Sequence, residues 1–195
     1  MRTFTKEELA EIIESHGKWL HGNDGGERAD LSYSDLSGIN LRYSNLRGSD
    51  LRGSDPSYSN LSGSNLSYSN LSYSNLSGSN LRGSNLNGSN LNGSNLSYSN
   101  LNGSNLRGST LRGSIGNCEN IKSMQCDMWL VSYTETTLNI GCQTHLISEW
   151  FSFSDDEIAR MDSQALKWWA IWKPILQKII EVSPAVPTGY VEKAE

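Results

Sequence analysis

The chain has 195 residues, 36% of them hydrophobic and 19% charged, and a formal net charge of −5. That balance fits one domain with end pieces better than two globular domains. Three cysteines, an odd number with no paired framework, point to a reducing compartment, and no apolar stretch approaches the length that spans a membrane.

At the start of the chain, Thr5-Lys6-Glu7-Glu8 is a capping box. Leu9, Ile12, Ile13, His16, Trp19 and Leu20 follow at helical spacing, so residues 6 to 20 are expected to form an amphipathic helix that lids what comes next. His16 lies on or near the apolar stripe and reads as a packed cap residue. Met1-Arg2-Thr3-Phe4-Thr5 leads straight into this charged helix, unlike a signal peptide, and a cytoplasmic protein is the expectation. Gly22-Asn23-Asp24-Gly25-Gly26 is the turn out of the helix, closing a first segment over 1–28.

From Leu31 to Leu111 leucine recurs at every fifth residue, with Pro56 as the exception. The unit reads Ser-Asn-Leu-x-x, as in Ser59-Asn60-Leu61-Ser62-Gly63, and Ser or Ala holds the position two before the leucine in every unit except that of Ile39. Neither a helix nor an ordinary strand has this period; a fixed repeat of this kind means a solenoid. The motif resembles the pentapeptide-repeat family over residues 29–115. The resemblance implies a mainly β fold, a right-handed quadrilateral β-helix, with the leucine and the small residue before it pointing inward.

Four units make a coil of about twenty residues, so that leucines such as Leu61, Leu66, Leu71, Leu76, Leu81, Leu86 and Leu91 stack into a continuous core at roughly the strand spacing of 4.8 Å. Each inward Ser hydroxyl must then find a partner. Asn before each leucine, from Asn60 to Asn105, is placed to form amide ladders. Glycine two after the leucine suits a corner with positive φ. Tyr33, Tyr43, Tyr58, Tyr68, Tyr73 and Tyr98 share that corner position and should face solvent without forming an aromatic ladder. Proline at position 56 removes a ladder donor, which predicts a local bulge or kink.

Charge divides unevenly: residues 1 to 30 carry four basic and seven acidic groups, 31 to 115 six and three, and 116 to 195 six and eleven. The resemblance implies an activity known in the family, imitation of duplex DNA by an acidic rod that binds topoisomerases. Here only Asp30, Asp35, Asp50 and Asp55 are acidic at the repeat's polar position, so the rod lacks the carboxylates of a simple mimic. Arg42, Arg47, Arg52, Arg82, Arg107 and Arg112 scatter over several faces and make no stripe, which argues against nucleic acid as partner.

Residues 31 to 115 contain no Lys, His, Cys or Glu, leaving no general base beside a nucleophile. No enzyme activity, cofactor or metal is expected. Cys142 and His145 are the one compact pair of soft ligands; without a matching Cys-x-x-Cys knuckle, Cys118, Cys126 and Cys142 read as core thiols, Cys126 in phase with the leucines.

Past Ser114 the phase survives at Ile121, Cys126 and Val131, so an irregular terminal coil with closing strands is expected over 116–147. Ser154-Asp155-Asp156-Glu157 caps a short helix running through Met161, and a longer helix follows from about Ser163 to Val182, kinked or divided at Pro174. Together they make a C-terminal helical region over 148–183. Its apolar residues cover more than one face. It either wraps the last coil or exposes a dimer seam of Trp169, Trp172, Leu176 and Ile180, as the C-terminal helices of family dimers do. The tail over 184–195, with Pro184 and Pro187, reads as mobile. The helix-flanked layout resembles bacterial or bacteriophage members of the family.

Two functional classes follow, with a nucleic-acid-binding rod as a weaker alternative. One is a protein-binding module, a modulator of a DNA-handling enzyme or of a host protein, using a surface around Asp50, Asp55 and Tyr58. The other is a structural protein that self-associates through its ends.

Overall fold

A computed structural model of the chain describes residues 1–189. Helix α1 spans Lys6–Leu20, with the Thr5 hydroxyl accepting from the Glu8 amide at 3.1 Å and the Glu8 carboxylate accepting from the Thr5 amide at 2.7 Å. Its Leu9 is buried in one cluster with Ala29 and the leucines of the repeat, and Phe4, Ile12 and Ile13 pack against that cluster. α1 therefore lies against the first coil.

Residues 30–115 form a β-solenoid. Parallel bridges join residues twenty apart, from Asp30 with Asp50 to Asn95 with Ile115, so one coil is four units. Local bonds build each unit. In one of them Asn60 Oδ1 accepts from the Ser62 amide at 3.1 Å, and the Leu61 carbonyl accepts from the Ser64 amide at 3.1 Å and the Ser64 hydroxyl at 2.7 Å. The carboxamide thus shapes the entry to the corner, and the inward serine is satisfied by its own turn. Between coils the Leu61 amide donates to Asn80 O at 2.8 Å, Gly63 to Arg82 O at 2.9 Å, and Asn80 to Ser59 O at 2.9 Å. The Ser84, Ser89 and Ser99 hydroxyls depart from the pattern, being buried with no partner among the described residues.

The leucines fill the axis. All are buried except Leu106 in the last coil, which packs at the edge of the cluster. Each contributes about 1.5–3 kcal/mol through burial. Pro56 is buried in the same column and makes neither bulge nor kink: Asp55 still bridges Asp35, and the Tyr58 amide still reaches Ser77 O at 3.0 Å. What is lost is the amide bond from position 56 to the next coil, while the Asn75 side chain donates to Asp55 Oδ1 at 3.1 Å across the same step.

After Ile121, the last residue of the leucine core, the chain leaves the solenoid. Strands β1 (Lys122–Cys126), β2 (Trp129–Tyr133), β3 (Thr137–Ile140) and β4 (Gln143–Leu146) form an antiparallel sheet in sequence order. The irregular coil inferred from the phase of Cys126 and Val131 is absent from this segment. Both residues belong instead to a second core, between the sheet and helices α2 (Ile147–Ser152), α3 (Asp155–Met161) and α4 (Ala165–Val182). Helix α3 opens on the expected capping box at Ser154 and Glu157, whereas α2 has no counterpart in the sequence reading. Helix α4 continues through Pro174 undivided.

The tail is pinned as far as the structure describes it. The Val186 amide donates to Glu119 O at 2.9 Å, Asn120 Nδ2 to Val186 O at 2.9 Å, and the Gly103 amide to Thr188 O. In the regular coils the amide of the corner residue reaches a carbonyl nineteen positions on, so Thr188 supplies what residue 122 would have supplied. The opposite rim is closed in the same way: the Arg2 amide donates to Tyr33 O at 3.1 Å and the Asp35 amide to Arg2 O at 2.7 Å. The mobile tail inferred over 184–195 is thus corrected for 184–189, and 190–195 lie outside the described residues.

Candidate interaction surface

The corner position shapes the outer surface. All six corner tyrosines adopt positive φ, between 52° and 60°, the conformation that glycine takes at the equivalent sites. That is costly for a residue with a Cβ, of order 1 kcal/mol each. An arrangement between coils accompanies it. Tyr33 lies over Gly53, Tyr43 over Gly63, Tyr58 over Gly78, Tyr68 over Gly88 and Tyr73 over Gly93, each ring so close that a Cβ on the glycine would meet it at 2.4 to 2.8 Å. Trp19 of α1 lies over Gly48 more loosely, 3.8 Å from where a Cβ would sit. Tyr98 has Cys118 at the following coil position and is 90% exposed; Tyr58 is 76% exposed.

Several rings are also braced from the side. Arg42 lies over the Tyr43 ring at 4.4 Å and donates to its hydroxyl at 2.7 Å, Arg52 lies over Tyr33 at 5.2 Å, and Arg47 over Tyr68 at 5.7 Å. The scattered arginines make no phosphate stripe, and these three serve the tyrosines.

The four aspartates of the polar position stack in two pairs, Asp30 on Asp50 and Asp35 on Asp55. The Ser32 hydroxyl and then its amide hold the Asp30 carboxyl below its usual range, and Ser37 does the same for Asp35. Asp50 and Asp55 are half-buried and head side-chain ladders. Asn70 Nδ2 donates to Asp50 Oδ1 at 3.3 Å, Asn90 to Asn70, and Thr110 to Asn90, while Asn75 and Asn95 continue from Asp55. Asp50, Asp55 and Tyr58 therefore sit on consecutive units of one coil. Only Tyr58 is fully presented to solvent.

The repeat also matches a known family: the sequence fits pentapeptide repeats in eight copies, over residues 27–55, 57–83 and 74–113. The chain belongs to the pentapeptide-repeat family. A pentapeptide repeat protein from Nostoc Pcc 7120 is 33% identical, with 53% of this chain and 75% of that one covered and a TM-score of 0.41. One from the thylakoid lumen of Arabidopsis thaliana is 27% identical, covering 44% and 63% with a TM-score of 0.27. QnrB1, a plasmid-mediated fluoroquinolone resistance protein, is 22% identical, covering 48% and 54% with a TM-score of 0.34. A search of curated proteins returned no match.

Outside the pentapeptide repeats, the seam inferred on α4 faces inward. Trp169 and Leu176 are buried in the second core, and Trp172 and Ile180 pack half-buried against it. The exposed apolar residues of α4 are Leu166, Ile171, Ile175 and Val182. The correction is one of rotation: the sheet covers the tryptophan face, which helical periodicity alone does not decide. Of the cysteines only Cys126 is a core thiol, pushed up to about 11 by burial and then by Asp127; Cys118 and Cys142 are exposed. Among the described residues no cluster of three His, Cys, Asp or Glu side chains is placed to hold a metal.

His16 is fully buried and its Nδ1 accepts from the Ala29 amide at 3.1 Å, with Trp19 stacked on it at 5.3 Å. Burial, helped by the charge of Arg28, holds its pKa below the ordinary value. The pairing of each corner tyrosine with a glycine was missed in the sequence, although the signal was present as a twenty-residue offset.

Proposed function

We propose that the chain is a non-enzymatic, cytoplasmic binding protein that presents a rigid β-helical surface to another protein. The solenoid is read as right-handed and quadrilateral, with α1 and the C-terminal helices as its caps. The observation that carries the reading is the set of exposed tyrosines held by glycine beneath them, and in three cases by arginine beside or over them. Tyrosine is favoured at protein interfaces because it offers a large amphipathic surface with few rotamers, and rings already held in place lose little freedom on binding. The class of partner implied by the family is a DNA-handling enzyme of the topoisomerase type. Because the ladder positions from Asn60 to Asn105 are amides, recognition would rest on shape and on the Asp30–Asp50 and Asp35–Asp55 pairs more than on an acidic rod.

The test is affinity capture from a bacterial lysate with the intact protein and a Tyr58→Ala, Tyr73→Ala variant in parallel, followed by a supercoiling assay on purified gyrase. A single host enzyme retained by the intact protein and at least tenfold depleted with the variant supports the reading. Equal retention by both, or none by either, would sink it.

A second reading, self-association through the C-terminal helices, is favoured by the exposed face of Ile171, Ile175 and Val182. It predicts a dimer in sedimentation that Ile171→Asp abolishes; a monomeric intact protein rejects it.

A further inference from the structure

Helix α1 is tied to the start of the solenoid through one imidazole. His16 is fully buried with its Nδ1 accepting from the Ala29 amide at 3.1 Å, and Ala29 is itself buried among the leucines with Leu9. The Glu27 amide donates to the Ser15 hydroxyl at 3.0 Å, so two successive residues of α1 hold the segment that enters the first coil. Trp19 stacks on the His16 ring at 5.3 Å.

A ring nitrogen that accepts a hydrogen bond carries no proton, which fixes the imidazole as neutral with its proton on Nε2. That Nε2–H is buried and makes no hydrogen bond among the described residues. A second proton has only Nδ1 to go to, where it would face the Ala29 N–H, donor against donor. The surroundings oppose it as well. Burial disfavours the cation, and Arg28, whose Nε donates to Gly48 O at 2.5 Å, adds a like charge; the Arg47 carbonyl works the other way without closing a bond of ordinary geometry to Nε2. Among the described residues no carboxylate acts on the ring. On α1 itself Glu14 and Lys18 are exposed and pair with each other at 3.0 Å. The exposed His21 ring has its Nδ1 2.7 Å from Gly17 O, a contact that an imidazolium keeps, so its titration does not loosen the helix.

We propose that His16 is a proton-operated latch: α1 stays on the first coil while the ring is neutral and lets go when the ring takes up a proton, opening that rim of the solenoid. The ring is neutral in the closed state and free to protonate in the released one. Closure is therefore complete above the ordinary histidine value of about 6.5 and weakens by up to about tenfold for each pH unit below it. An uncovered rim offers its strand edge and the end of the leucine column to another chain. The latch is independent of the corner tyrosines and of the partner proposed for them.

The test is hydrogen exchange of the full chain, read by mass spectrometry and corrected for the intrinsic rate, from about pH 7.5 to about pH 5, with His16→Gln beside it. The glutamine carbonyl can accept from Ala29 and does not titrate. Protection over residues 6–29 should fall by up to about tenfold per pH unit below about 6.5 in the unsubstituted chain and stay level in the variant, while Gly83 inside the stack holds in both. Protection that does not fall, or that falls equally in both chains, overturns the proposal. Nitrogen NMR of the His16 ring in the unsubstituted chain decides without the variant: a ring that keeps the neutral Nε2–H form as long as α1 is closed supports the latch, and one that protonates at about 6.5 with α1 still protected refutes it.

Discussion

A tyrosine at a corner of positive φ is locally unfavourable, and its tolerance here depends on a residue twenty positions away. The ring of Tyr58 occupies the space that a Cβ at Gly78 would need, at 2.7 Å, and Gly78 itself has a φ of 66°. Gly78→Ala therefore incurs a backbone cost of order 1 kcal/mol and a clash with the ring besides. We expect a total destabilisation of about 2–3 kcal/mol by denaturant unfolding, of which Tyr58→Ala in the same chain restores the clash portion. Additive effects of the two substitutions would show that ring and glycine are not coupled. Gly83 is the built-in control: nothing lies within 4 Å of a Cβ there, so Gly83→Ala should show the backbone cost alone.

At the level of elements, the most consequential segment is the one that looked least structured. Residues 184–189 supply the Gly103 amide with an acceptor and bury Ala185, so the tail hems an edge that would otherwise offer its donors to another chain. Ending the chain at Ser183 is expected to raise amide exchange at Gly103 about tenfold or more, the worth of one lost backbone bond, while Gly83, inside the stack, stays protected. Unchanged exchange at Gly103 would show that the tail does not hold the rim. The regular coils were legible because one residue type at one period encodes both the core and the register. α1 and α3 were legible from their capping boxes. Closing strands were expected toward Ile147, but their separate antiparallel sheet and its start at Lys122 were not: Cys126 and Val131 prolong the five-residue phase by coincidence while serving as strand residues of a different core. The inward turn of Trp169 and Leu176 depends on which face of α4 the sheet covers, a tertiary fact. The tail was misjudged because its bonds go to Glu119, Asn120 and Gly103, far away in sequence and without a local pattern.

For the molecule as a whole, the two cores share no residue: one runs from Leu9 to Ile121, the other from Cys126 to Ala185. They should unfold as separable units. Leu176 is fully buried in the second, and Leu176→Ala is expected to cost about 2–5 kcal/mol there. Five of the six tryptophans lie in that unit, the exception being Trp19, so fluorescence should lose its native signal at a lower temperature than the far-ultraviolet signal of the coils. Coincident transitions would mean that the cores are one cooperative body.

Four units per coil also make the number of repeats an angular setting. Inserting or deleting twenty residues would lengthen or shorten the stack by roughly 4.8 Å and leave the C-terminal sheet facing the same way relative to α1. Five residues would turn it by about a quarter revolution, with both hems intact because each is sewn to its own rim. The molecule is in this sense a dial, on which a change in repeat number alone re-aims one end against the other.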